Sequence, residues 1–546
     1  MKNILGGGAA LGVALFMSAS LLSACGGGGS SSSGAVTAGT AAPADPMAVD
    51  PTPTHPTDTE DGSGGPHPLI SDALAGRCAA PRSGIDPATG RAYVDRPGTL
   101  DDEKRWVHDW IDETYLWYDE VPTTYRASDF SGPIPYFDVL RTPAVTASGQ
   151  WKDRFHYTYD STVWNDILAN DTSFGYGIAF ALLTRTLPYD IRVAYVSPGS
   201  PAAAAGVARG DRLLEADGVD TSNGTDIDTL NEAIDPWVGG AQHVLRFARL
   251  DDSTYTTTLT SGRMQMAAVM NVKAIDTPTG RVGYMQFNTH SEPAEGQLID
   301  AVNQLKTAGV SDLILDLRYN GGGLLGVAAE LAAMISAPSA TSGKVFEQLK
   351  FNRKNPFNFS TAQTRYAFPP TSIGYSVPEG QPLPRLALSR VTVLSGPDTC
   401  SASESIVNAL RGIDVAVNLV GGPTCGKPYG FYPKDNCGTT YFAVQFEGVN
   451  AKGEGDYADG FAPTCAVADD FSRALGDPEE ARLAAALQLR ATGVCPVAAV
   501  AAGKSASALS ARSAGSRLDA EGRRQPYLLD SPARQNRILD RRATPH

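Results

Sequence analysis

Two residues stand where chemistry could be done: a serine in "PDTCSASES" (residues 397–405) and a lysine in "GGPTCGKP" (residues 421–428). Ser401 lies between an apolar stretch, "RVTVLSG", and an Ala/Val/Leu-rich helical pattern. That places it at a sharp turn beside a helix N-terminus, where free N–H groups can support an oxyanion. Serine is also a preferred N-cap, so the local pattern alone leaves both readings open. A serine nucleophile needs a base. The one histidine between residues 266 and 495, His290 in "FNTHSE", has no evident orienting acid. Lysine is the alternative where burial disfavours its charge. Lys427 follows an apolar strand pattern in a Gly/Pro/Cys turn with no acid in the five residues before it. The same loop nearly spells the phosphate-binding pattern G-x-x-x-x-G-K-[ST]. Pro428 supplies neither the magnesium-binding hydroxyl nor an N–H for the cradle. A nucleotide is therefore not the expected partner.

The elements that must position these residues begin with "DDEKRWVHDWIDETYLWYDEVP" (residues 101–122), read as an amphipathic helix ending before Pro122, its aromatic stripe serving packing. Further on, "SPAAAAGVARGDRLLEADG" resembles the recurrent pattern of PDZ domains, and "GYGIAF" resembles their carboxylate-binding loop. The resemblance implies a nest of backbone N–H groups at Gly175, Tyr176, Gly177 and Ile178 for a peptide C-terminus, which adds as a strand. From about residue 271, strands and helices alternate. "SDLILDLRYNGGG" reads as a buried strand, "LLGVAAELAAMIS" as the following helix, and residues 340–385 as a long excursion of the kind that makes binding loops or lids.

The chain has 546 residues and a net charge of -14, which argues against nucleic acid as a partner. The first 25 residues read as an export signal: Lys2, an apolar run, then "LSAC". That ending resembles a bacterial lipobox, which implies cleavage before Cys25 and lipid on its sulfur. Gly26 lacks the retention aspartate, pointing to the outer membrane facing the periplasm. Setting Cys25 aside leaves six cysteines, an even number suited to an oxidising compartment. Cys425–Cys437 and Cys465–Cys495 are the pairings expected from proximity, among fifteen. No C-x-x-C occurs and no two histidines lie close together, so neither metal nor cofactor is expected.

Together, "DLRYNGGG", "SASE" and "GGPTCGK" resemble, in order and spacing, the motifs of the C-terminal processing (tail-specific) peptidases, Ser-Lys enzymes with an inserted PDZ domain. The resemblance covers residues 101–470. It implies an α+β multidomain fold: a helical N-terminal segment (99–168), a PDZ domain (169–265) and an α/β, crotonase/ClpP-like peptidase core (266–495). Composition adds a flexible tether (25–98) after the signal peptide (1–24) and a disordered tail (496–546). The resemblance makes Ser401 the nucleophile, Lys427 the general base, and the N–H groups of Gly322 and Ala402 the oxyanion hole. Ser403 is the rival nucleophile. Asp316 and Arg318 would hold the loop, and Glu404 would start the helix. Substrates would be proteins or peptides with unstructured C-termini. One departure matters: where many members carry a glutamine that orients the lysine, this chain has Phe431. That change motivates the alternative of a catalytically inactive PDZ-bearing lipoprotein.

Overall fold

The computed structural model describes residues 69–86, 90–170, 173–184, 187–236, 238–264, 267–496 and 537–539. The signal peptide, Cys25, most of the tether and most of the C-terminal tail lie outside them. No described helix is long and apolar enough to cross a membrane.

The C-terminal half is built on a six-stranded sheet. Its order is Val269–Thr277, Gly280–Phe287, Asp312–Asp316, Arg390–Ser395, Ala416–Gly421, Cys465–Ala466. Only the first pair is antiparallel. Parallel strands need helical crossovers, which cover the sheet on both faces and explain why the strands read as apolar runs. On one face lie the helices Ala294–Thr307, Leu325–Ile335 and Ala402–Gly412, sharing a core with Leu313, Leu315, Val391 and Val393. On the other, Ala481–Thr492 packs Leu483 and Ala486 against Ile314, Leu394 and Val420. The helix Leu325–Ile335 is buried along its whole length, as its lack of a polar face requires.

Three loops leave the C-terminal ends of three neighbouring parallel strands. Residues 317–321 follow Asp312–Asp316, residues 396–401 follow Arg390–Ser395, and residues 422–428 follow Ala416–Gly421. The strand ends of an open α/β sheet are where such folds place their sites.

The excursion at 340–385 is a folded element. Its strand Val345–Phe351 joins Phe446–Val449 and Tyr429–Gly430 in a second sheet, so it supports the segment that follows Lys427. Buried carboxylates anchor its far end: Glu295 accepts from the N–H groups of Gly374, Ser376 and Val377, and Glu330 from that of Ile373. Burial, with Glu295 nearby, pushes the Glu330 carboxyl up to about 9.

The PDZ-like region is an antiparallel sheet ordered Thr254–Thr260, Gln242–Ala248, Arg212–Ala216, Asp190–Val196, Ile178–Thr184. The helix Ile227–Ile234 closes its core through Ile227, Leu230 and Ala233. Its entering and leaving passages, Ser173–Gly175 and Gly262–Met264, pair with each other.

Several expectations need correction. The folded part begins by residue 69, thirty residues inside the expected tether, because Cys78 is bonded to Cys437. The other bridges are Cys400–Cys425 and Cys465–Cys495, so the Cys425–Cys437 pairing is wrong. Cys437 sits at the turn between Lys434–Asn436 and Thr439–Phe442, while Cys425 lies in the loop that meets residues 396–401. The first helix ends at Thr114, with its Trp106 and Trp110 stacked in a core that also takes Tyr115 and Trp117. Within the tail, Arg537–Leu539 forms a short strand parallel to Gly322–Leu324.

Candidate active site

Ser401 sits at the entrance of the helix Ala402–Gly412 with φ 59° and ψ -119°. A non-glycine residue there is strained and persists only where its surroundings fix it. Here they do. The Cys400 N–H donates to Asn320 O at 3.1 Å, the Ser403 hydroxyl to the same oxygen at 3.0 Å, and the Thr399 hydroxyl to Leu317 O at 2.8 Å. The turn carrying Ser401 is thus clamped on the loop carrying "DLRYN". Ser403, the rival, is spent on that clamp.

The Ser401 side chain is buried and its Oγ makes no hydrogen bond among the described residues. That separates the two readings of this serine. An N-cap hydroxyl would accept from the helix N-terminus, whereas this one is uncommitted. The reciprocal half of a capping box is present instead, with the Ser401 N–H donating to Glu404 Oε2 at 3.0 Å. Ala402 opens the helix, so its own N–H has no intrahelical acceptor.

Glu404 reaches further than a helix start requires. Its Oε2 also accepts from the Lys427 N–H at 2.8 Å, and its Oε1 from the Gly426 N–H at 2.8 Å and the Thr424 hydroxyl at 2.5 Å. One buried carboxylate therefore joins the backbone of the candidate nucleophile to that of the candidate base. Burial raises its proton affinity and these donors oppose the rise. The Cys400–Cys425 bridge and the bond from the Cys425 N–H to Thr399 O (3.0 Å) tie the same loops. Cys400, Glu404 and Cys425 lie close enough together to resemble a metal site. With both sulfurs bonded to each other and the carboxylate already accepting, the set has no free thiolate to ligate one.

Lys427 is wholly buried. Its Nζ lies 4.2 Å from the ring centroid of Phe431 and 5.0 Å from that of Phe155. Phe155 comes from the N-terminal segment, ahead of the PDZ region. Beside it, the Arg154 guanidinium donates to the carbonyls of Cys425 (2.6 Å), Gly426 (3.2 Å) and Ala458 (3.0 Å). Sequence reading missed both residues: "RF" in "KDRFHYTY" is separated from the lysine loop by some 270 positions.

The glycine loop differs from expectation. Gly322, at φ 101°, donates its N–H to Asn320 Oδ1 at 2.9 Å, a side-chain turn over two residues. In this conformation Gly322 is therefore not a free donor, although Ala402 is at a helix start. Asn320 Oδ1 also meets His290 Nδ1 at 3.0 Å. Burial lowers the His290 imidazole to about 3, so the ring is neutral, and it braces Asn320 rather than meeting Ser401. Gly323, at φ 141°, must be glycine: a Cβ there would stand 2.6 Å from His290 O.

Asp316 and Arg318 hold the loop, as expected. Arg318 donates to Asp316, Asp469 and Glu480 at 2.8–3.0 Å, and Asp316 also accepts from the Tyr284 hydroxyl. Asp469 accepts in turn from Arg209 of the PDZ-like region (2.8 Å), which also donates to the hydroxyl of Tyr319 in the glycine loop. Burial alone would raise the Asp469 carboxyl. Arg482, Arg318 and Arg209 outweigh it and hold the carboxyl far below the usual range.

At the PDZ loop, Gly177 has φ 78°, and a Cβ there would strike the Ser200 side chain. Tyr176 buries its ring in the PDZ core, leaving only backbone to face a ligand. Ile178 begins Ile178–Thr184, the strand at the end of the sheet order. The buried side of this strand, Ala179 and Ala181, packs with Tyr319, Phe471 and Leu475 of the core.

The profile of peptidase family S41 matches residues 281–444, which contain Gly322, Ser401 and Lys427. A PDZ domain profile matches residues 192–249, and that of the peptidase S41 N-terminal domain matches residues 102–157. A carboxyl-terminal-processing protease of Picosynechococcus sp. is 30% identical over 242 residues, covering 42% of this chain and 49% of that protein. Its namesake from Synechocystis sp. is 30% identical over 232 residues, covering 42% and 47%. The chain thus spans about half the length of these curated relatives. Among solved structures, an S41 protease from Bacteroides fragilis shares the fold, with a TM-score of 0.55 and 24% identity over 71% of this chain and 97% of that one.

Proposed function

The chain belongs to peptidase family S41, and from that premise we propose that it is a serine endopeptidase working through a Ser401–Lys427 dyad. The observation that carries this reading is Glu404: it fixes the backbone of both residues while the Ser401 hydroxyl stays uncommitted. In the proposed reaction Ser401 Oγ attacks the scissile carbonyl carbon and its proton passes to neutral Lys427 Nζ. The oxyanion is met by the Ala402 N–H and by that of Gly322, once Asn320 releases it. Lys427 returns the proton to the departing amine. Water then enters, gives a proton to Lys427 and attacks the ester carbonyl; Lys427 passes that proton to the departing Ser401 Oγ, which frees the acid product and restores the dyad. The PDZ loop at Gly175, Tyr176, Gly177 and Ile178 would take an unstructured substrate C-terminus, placing it as an added strand. Lipid on Cys25 would hold the enzyme on the outer membrane facing the periplasm.

Ser401→Ala and Lys427→Ala should each abolish cleavage of casein and of peptides with unstructured tails, with the fold retained and PDZ-peptide binding unchanged, although Lys427→Ala lowers the melting temperature by the cavity it leaves. Cleavage at the wild-type rate by either variant would sink the dyad. The inactive-binder reading draws on Asn320 occupying the Gly322 N–H and on Phe431 in the glutamine's place. It predicts peptide binding with no product from any of these substrates.

A further inference from the structure

We infer that the Cys400–Cys425 bridge is a redox gate on the peptidase: the two cysteines are positioning residues that hold Ser401 and Lys427 in working register only while their sulfurs are bonded. This rests on the reading of Ser401 and Lys427 as the dyad. Cys400 directly precedes Ser401, and Cys425 stands two residues before Lys427. One covalent bond thus joins the two loops beside the reacting groups. The other bridges lie elsewhere. Cys78–Cys437 pins the start of the fold to a hairpin, and Cys465–Cys495 ties the edge strand of the large sheet to the chain just beyond the helix Ala481–Thr492. Among the described residues, Cys400–Cys425 is the one bridge with both ends buried.

The surroundings leave that pair little slack. The Cys425 N–H donates to Thr399 O at 3.0 Å, and the Cys425 sulfur lies 3.3 Å from Glu404 Oε2. Two thiols cannot approach as closely as two bonded sulfurs. In a close-packed interior the added separation passes to the backbone on either side. Reduction has a second effect: it makes the Cys425 sulfur an S–H donor. That donor faces the oxygen which already accepts from the Ser401 and Lys427 N–H groups. A third donor there competes with the two that set the register. Closing the bond removes one hydrogen from each thiol. A disulfide-bearing oxidant takes the electron pair and both protons and leaves as two thiols. Burial shields the finished bond, so its state is set as the chain folds. With an export signal at residues 1–24, the peptidase is incompetent where it is made and becomes competent in an oxidising compartment.

The test compares full-length chains folded under oxidising conditions. On a tailed peptide, Cys400→Ala/Cys425→Ala should lower kcat about 10²-fold with KM little changed. Cys465→Ala/Cys495→Ala should melt earlier at unchanged kcat. A chain in which Cys78, Cys437, Cys465 and Cys495 are all replaced by alanine keeps this bridge alone. Refolded in a phosphine reductant it should lose kcat by at least the same factor, and refolding with glutathione disulfide should restore it. Hydrogen exchange is independent of catalysis: loss of the bond should speed exchange of the amides at 401–404 and 424–427 and leave the strand Asp312–Asp316 protected. Unchanged kcat or unchanged exchange in Cys400→Ala/Cys425→Ala would overturn the inference. So would a loss of kcat shared equally by Cys465→Ala/Cys495→Ala, or faster exchange throughout the sheet, either of which leaves a plain structural bridge. An oxidised wild-type chain that cleaves nothing, yet loosens at those two loops alone when the bond is lost, would overturn the peptidase reading and keep the redox-set register.

Discussion

Two buried cationic sites lie on the same sheet and are treated in opposite ways. At the junction with the PDZ-like region, Arg318, Arg209 and Arg482 surround Asp469, with Asp316 and Glu480 also facing Arg318. Every charge there meets an opposite charge, and the carboxyl of Asp469 is held far below its usual range. At the other site, Lys427 is packed on phenyl rings, and the carboxylate next to its backbone is occupied by N–H groups. Both arrangements satisfy the rule that buried charge must be compensated. Saturating ion pairs fix protonation states, which suits a brace. Ring faces attract a cation without carrying a net charge, which suits a site that places one side chain rather than braces several elements.

The largest effects should come from the link between the candidate nucleophile and base. Glu404→Gln keeps the shape but turns one of the acceptor oxygens into a donor facing N–H groups. Misplacement of both loops by a fraction of an ångström should lower kcat about 10²-fold, with KM little changed. Steady-state kinetics on a tailed peptide decides this, and an unchanged kcat would remove Glu404 from the proposed machinery. At the brace, Arg318→Met should leave Asp469 and Glu480 facing one fewer cation and cost roughly 3–5 kcal/mol, read as a fall in the denaturation midpoint.

Acid should separate the sites further. Asp153 is buried and yet lowered to about 2: burial opposes the fall, but His156 and the Tyr115 hydroxyl outweigh it. A carboxyl depressed on folding stabilises above its unfolded value near 4 and loses that contribution as pH falls toward 2. His290, lowered to about 3 by burial, behaves alike: its contribution is whole above about 6.5 and fades as pH falls toward 3. Unfolding midpoints measured from pH 7 to pH 3 should therefore decline in two stages, the first lost in His290→Gln. A single late decline in both proteins would remove His290 from the acid response.

What could be read from the chain beforehand follows from how local each feature is. "SASE", "DLRYNGGG" and "GGPTCGK" are short because each is one strand-end loop, so composition and spacing reveal them. The alternation of strands and helices likewise shows in hydrophobic pattern, since both faces of the sheet are covered. The bridge from Cys78 to Cys437 spans 359 positions, and the docking of Arg154 on Cys425 spans 271. Neither leaves a periodic or compositional trace. Cys425 and Cys437 lie twelve residues apart yet point to different partners, because two strands, Tyr429–Gly430 and Lys434–Asn436, separate them. The engagement of the Gly322 N–H by Asn320 was hidden for another reason: glycine types announce backbone freedom, not the acceptor that uses it.

The smallest predicted effect tests the peptide end of the comparison. Tyr176 lies within the loop proposed to hold a substrate C-terminus, yet its ring is in the PDZ core and its hydroxyl, buried, has no hydrogen-bond partner among the described residues. Removing a buried hydroxyl that pays desolvation without a bond costs little or stabilises slightly. Tyr176→Phe should therefore leave peptide affinity unchanged and hold or raise the melting temperature by a degree or two. Replacing Gly177 by alanine acts on the backbone instead. At φ 78° and against the Ser200 side chain, a methyl group would displace the N–H groups themselves, so binding should fall while cleavage of untailed casein persists. If Tyr176→Phe weakened binding as much as Gly177→Ala, recognition would run through the phenol rather than through a nest of backbone donors.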